Sequence, residues 1–264
     1  MKKVLFSIAA AFCAGIAFAQ EDVSESRWKT QEILIDGNDN DWAQPLNFFD
    51  NTSGMIFSMA NDTKNIYLCF SNNDHAKAAR MMMAGWSVEL VSSEKKRKFD
   101  VTIAFPKVED LNLLRDEASK AVSIYKTEMT TPKAKGLLSH STEIPLTNND
   151  GVTIGIGANT ADRIVYEIRI PVKELMDEGM LQLNEVVSVD VVVNALDRPS
   201  GQNAGSGESG GRSGFSGGGR GGGRMGGGGR GMRGGGAFGN SGGSARGTAF
   251  EKTSFKQKVR LVSK

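Results

Sequence analysis

Arg163-Ile164-Val165-Tyr166-Glu167-Ile168-Arg169-Ile170 sets Ile164, Tyr166, Ile168 and Ile170 on one side of an extended chain and Glu167 and Arg169 on the other. A period of two marks a strand with one face on a core, because successive side chains of an extended backbone point to opposite faces. Segments of similar length and composition recur between turn signals: Glu32 to Ile35, Met55 to Ala60, Asn65 to Ser71, Trp86 to Val91, Lys98 to Phe105, Val152 to Gly157, Glu185 to Asn194 and Phe255 to Val262. In the last of these, Phe255, Val259 and Leu261 oppose Lys256, Lys258 and Arg260. Nine short strands predict an all-β domain, an antiparallel β-sandwich of two packed sheets.

One or two short helices interrupt this pattern. Asp74 can cap a helix over Ala76 to Met83, and Gly85 stands where a left-handed residue would end it. Val108, Leu111 and Leu114 repeat at helical spacing after Pro106 and predict a second helix over an open end of the sandwich. After Ile170-Pro171 closes a strand, Val172 to Met176 can begin a further short helix. Met81-Met82-Met83 reads as packing against a sheet edge, with a soft apolar patch for a partner as the alternative.

The first nineteen residues read as a signal peptide. Met1-Lys2-Lys3 is cationic, Val4 to Ile16 is apolar, and Ala17-Phe18-Ala19 offers a small-residue cleavage site before Gln20. The apolar run is shorter than the roughly 20 residues a spanning helix needs, so no transmembrane anchor is expected. Cys13 does not read as a lipidation site, because bulky Phe12 precedes it. The expected location is therefore periplasmic, cell-surface or extracellular. Cleavage leaves Cys69 as the single cysteine, so no intramolecular disulfide can form, and its apolar neighbours Leu68 and Phe70 make it a buried, inert thiol.

From Ser200 to Gly247 apolar periodicity vanishes, and 24 of the chain's 33 glycines fall there. Such a stretch cannot bury enough surface to offset its ordering entropy, so a long disordered Gly/Arg-rich loop is expected before the last strand. The predicted organisation is one domain from 20–199 plus 248–264, with 200–247 as an insertion. The insertion holds six arginines against Glu208 alone. With Lys2 and Lys3 removed, the remainder has 24 basic against 29 acidic residues and carries −5. Arg220, Arg224, Arg230 and Arg233 are candidate contacts to an anionic surface polymer. The Arg-Gly-Gly triplets at Arg220 and Arg233 would read as nucleic-acid binding in a cytosolic protein, and export argues against that partner.

Ile35-Asp36-Gly37 with Asp41-Trp42, then Asn65-Ile66-Tyr67-Leu68, Trp86-Ser87-Val88-Glu89-Leu90 and Glu167-Ile168-Arg169-Ile170-Pro171 stand in this order along the chain. In that order they resemble the landmarks of family 9 carbohydrate-binding modules and the related DOMON-like β-sandwiches, and especially an uncharacterised secreted bacterial branch. The resemblance covers most of Ile33 to Asn194. It implies a binding site in which tryptophan faces stack on sugar rings, sometimes beside calcium. The residues read alone give Asp36-Gly37 as a tight turn and Trp42 as an indole folded over the sandwich end.

Trp28 and Trp86 are the candidate ligand-binding tryptophans. Each also has a plainer reading, Trp86 as core at the start of a strand and Trp28 as a packed N-terminal arm. Asp36 to Asp41 looks like a calcium loop but has Asp41 where the turn glycine belongs and Asn47 where the bidentate glutamate belongs, so no cofactor is expected and calcium is left as an alternative the motif does not support. His75 and His140 are far apart and carry no zinc-like spacing. Ser209 and Ser216 sit in G-x-S-x-G matches inside low-complexity sequence, without the strand and helix that build a nucleophile elbow. The expectation is a secreted, non-catalytic module that binds glycan or another cell-envelope component. The alternative is a structural or assembly protein of the envelope that engages a protein partner.

Overall fold

A computed structural model describes residues 23–93, 99–137, 142–147, 151–196 and 251–264. The expected signal segment, the 200–247 insertion and His140 lie outside these residues. The described chain is mostly β. One sheet has the order β1 (Val23–Glu25), β12 (Thr253–Arg260), β11 (Val186–Val193), β6 (Trp86–Ser92), β7 (Asp100–Phe105) and β8 (Lys133–Lys135). The other runs β2 (Arg27–Trp28), β4 (Met55–Asn61), β5 (Asn65–Asn72), β10 (Ile164–Pro171) and β9 (Thr153–Ala158), with β3 (Phe48–Phe49) also on β4.

Alternation decides which side of each strand meets the core. Ile164, Tyr166, Ile168 and Ile170 of β10 join Phe57, Leu68 and Phe70 of the same sheet, and they face Val88, Ile103, Val189 and Val259 of the other. Rings join the two layers. Trp86 stacks on Phe105 at 4.3 Å and meets Tyr166 edge-on at 5.0 Å across the sheet gap. Such aromatic pairs add about 0.5–1.5 kcal/mol each beyond the area they bury.

The sheets are mixed and not wholly antiparallel, which corrects the expectation from alternation. β1 runs parallel to β12 and β2 runs parallel to β4. The cause is one N-terminal segment that serves both layers, crossing between them at Ser26. Ser26 donates its backbone N–H to Arg260 O at 2.9 Å and its hydroxyl to Asn61 Oδ1 at 2.5 Å, while Asn61 Nδ2 donates to Val262 O at 2.9 Å. Asn61 is fully buried, so these bonds satisfy groups that would otherwise cost free energy in the interior.

Glu32 to Ile35 forms no strand. This stretch belongs to a segment that crosses the outer face of the second sheet, where Ile33, Ile35, Trp42 and Leu46 cover Tyr67, Cys69 and Val165 in a second, smaller apolar cluster. Cys69 is a buried free thiol there.

Among the described residues, three α-helices fill the connections. α1 (His75–Ala84) has Asp74 as its cap, accepting from Lys77 N at 3.1 Å, and ends at Gly85 with φ 71°. The helix expected from Val108, Leu111 and Leu114 is a single 3-10 turn over Leu111–Leu114, in which Leu113 is buried and Leu111 is exposed. The longer helix, α2 (Ala118–Glu128), follows it. Its buried stripe is Ala118, Ala121, Val122 and Tyr125, and Lys126 Nζ donates to Ile156 O of edge strand β9 at 3.1 Å. α3 (Lys173–Asp177) follows Pro171 as expected.

Candidate functional site

Among the concentrations of polar groups in the described residues, two differ sharply in their chemistry. The first is centred on Glu167. Alternation places this side chain on the outer face of β10, and the solvent-facing expectation is corrected because the covering segment encloses it completely. Glu167 Oε1 accepts from Trp42 Nε1 at 2.7 Å. Its Oε2 accepts the backbone N–H groups of Gly37 at 2.7 Å, Asp36 at 3.0 Å and Asn38 at 3.2 Å. Burial pushes the Glu167 carboxyl up to about 7, against the opposing pull of these N–H donors.

The turn can approach so closely because β9 carries Gly155 and Gly157 beneath it. A Cβ on Gly157 would lie 2.2 Å from Gly37 O, and one on Gly155 would lie 2.6 Å from Gly37 N. Both carboxylate oxygens are occupied. The cluster is a clasp that fastens the covering layer to the sheet.

The second place is a recess of about 280 Å³ at the end of the sandwich where β5 and β11 finish and β4 and β12 begin. α1 forms one wall through Lys77, Arg80, Met81 and Ala84. These positions are i, i+3, i+4 and i+7, the spacing that gathers side chains on one helical face. Val193 and Leu196 extend the apolar floor.

The polar groups of the recess fall into two sets. One set builds the wall. Asn72 Nδ2 donates to Ser53 O at 3.0 Å, and Lys77 Nζ donates to Thr52 O at 3.1 Å and to Asn51 O at 3.4 Å. Asp50 Oδ2 accepts from both Ser53 N and Ser53 Oγ at 2.7 Å, and the turn closes at Gly54 with φ 70°. The other set is uncommitted: among the described residues, the side chains of Arg80, Asn194, Thr253 and Glu251 make no hydrogen bond or ion pair. A rigid rim with unspent donors over an apolar floor is the arrangement of a small-ligand site.

The sequence-derived candidates do not meet here. Trp86 is 1% exposed, its ring enclosed by Phe70, Phe105 and Tyr166, so it presents no face for a sugar to stack on and the core reading holds. Trp28 is half-buried on β2 opposite Asn61, at the far end of β4 from the recess. Six residues of strand separate the two ends, about 20 Å at ~3.3 Å per residue. Arg220, Arg224, Arg230 and Arg233 lie outside the described residues. Met81 and Met82 are buried and Met83 half-buried, so this run packs inward as a partner patch would not.

His75 Nε2 lies 3.2 Å from Leu113 O. Among the described residues, no group of three or more His, Cys, Asp and Glu side chains is placed to hold a metal ion, and no helix is long and apolar enough to cross a membrane. Sequence reading missed Arg80, Asn194 and Thr253, although the helical spacing of Lys77, Arg80, Met81 and Ala84 was visible in the chain.

The chain matches no protein-family model, and no curated protein matches it. The fold and the recess together define a mostly β domain of two packed sheets with a recess of polar rim and apolar floor at one end.

Proposed function

We propose that the mature protein is an exported, non-catalytic binding module and that the recess beside α1 holds a glycan or another cell-envelope component. The observation that carries this reading is the division of labour in the recess. Asn72 and Lys77 fix the wall, while Arg80, Asn194 and Thr253 keep their hydrogen-bonding capacity over a floor of Met81, Ala84, Val193 and Leu196. Sugars offer hydroxyls at their edges and C–H groups on their faces, so a polar rim over an apolar floor matches both. The ordered sequence landmarks shared with carbohydrate-binding sandwiches point the same way, and the amino-terminal signal pattern supports an envelope location.

The test is a calorimetric screen of the mature protein, residues 20–264, against glycans and envelope polymers, with and without 200–247. Binding that survives removal of 200–247 and weakens at least tenfold in Asn194→Ala supports the recess. Binding that vanishes with 200–247, or that Trp28→Ala abolishes while Asn194→Ala does not, places recognition elsewhere.

A further inference from the structure

We infer that the recess selects sugars bearing an acidic group, a carboxylate or a phosphate, with Arg80 as the group that reads the charge; this rests on the recess being the binding site. The first observation is the sign of the charge. Outside 200–247 the mature chain carries −5, yet α1 projects both Lys77 and Arg80 into one small recess where, among the described residues, Glu251 is the single carboxylate. Two cations gathered against the prevailing sign make a local positive field that walls of low dielectric would focus.

The second observation is how the two cations are held. Lys77 Nζ has two carbonyl acceptors, Thr52 O and Asn51 O, which fix the ammonium at the wall and leave one of its three hydrogens unspent. Arg80 has no hydrogen-bond or ion-pair partner among the described residues, so none of its five N–H donors is engaged by them. A guanidinium stays protonated at any physiological pH and its planar fork matches the two oxygens of a carboxylate or phosphate. At about 280 Å³ the recess lies near the lower end of ligand sites, which fits one ring and not a long chain.

Calorimetry on the mature chain distinguishes the possibilities with matched probes: glucuronic acid against glucose, and glucose 6-phosphate against glucose, each at 50 and 500 mM salt. The expected result is that at least one acidic probe binds tenfold or more tighter than glucose at low salt. The preference should shrink at high salt and disappear in Arg80→Gln, which should bind the acidic and neutral probes alike. Which acidic probe is preferred separates the carboxylate from the phosphate source. Equal affinity for neutral and acidic probes in wild type overturns the charge inference while leaving the recess as a site, provided Asn194→Ala weakens both. Failure of every probe to bind, or wild-type binding in both Arg80→Gln and Asn194→Ala, overturns the charge inference together with the site. Thermal melts of each variant control for folding, which exposed Arg80 should not disturb.

Discussion

Glu167 shows what one residue does when a strand's outer face is covered by a second layer. Its carboxyl is fully buried and titrates near 7 in the folded chain because burial disfavours the charge. In the unfolded chain it returns to the ordinary value near 4.5. A group whose folded value is raised binds protons more readily when folded. Its contribution to stability is therefore complete below about 4.5 and is lost as pH climbs through 7. Glu167→Gln cannot titrate, so the stability of wild type minus that of the variant should fall between pH 5 and pH 8, by on the order of 3 kcal/mol. Urea midpoints of the two proteins across that range measure it. A difference that stays flat with pH would mean that the four N–H donors hold the carboxylate ionised throughout.

At the scale of elements, α1 couples stability to the recess because one helix supplies both the wall and the charge. Asp74 caps it through Lys77 N, and Gly85 ends it with φ 71°. Loss of the cap in Asp74→Ala should cost about 1 kcal/mol. Because the first turn carrying Lys77 would fray, affinity for any recess ligand should drop as well, whereas a surface substitution of equal cost far from α1 should leave it unchanged. Paired melting and titration experiments separate these outcomes.

The long strands of both sheets were readable from alternation, as in β10 and β12, since burial on one face imposes a period of two, whereas β1, β2, β3 and β8, of two or three residues each, are too short to show it. α2 was not, because its buried stripe of Ala118, Ala121 and Val122 offers little apolar contrast. Burial of Glu167 was hidden for a different reason: alternation separates two faces but cannot tell solvent from a covering segment. The recess joins Asn72, Arg80, Asn194 and Thr253, which are distant in the chain and come together only when β5, α1, β11 and β12 end at one place.

For the whole molecule, the decisive relation is between the packed sheets and the connection from β11 to β12. Val193 pairs with Thr253 at the close of β11 and the start of β12, so the chain leaves the sheet and returns to it at facing positions of neighbouring antiparallel strands. The pairing between them continues to Val186 and Arg260, and Val187, Val189, Val191 and Val259 are fully buried in the shared core. None of these contacts needs residues 197–250. Closure entropy rises only logarithmically with loop length, so a tenfold shorter connection should be favoured by about 2 kcal/mol. Replacing residues 197–250 with a few glycine and asparagine residues should therefore give a cooperatively unfolding protein that keeps a β-sheet far-ultraviolet signature. Its Tm should equal or exceed that of wild type, and its recess should bind as before. A Tm lowered by more than about 10 °C, well over 1 kcal/mol for a domain of this size, would show that the insertion contributes packing that the two sheets lack on their own.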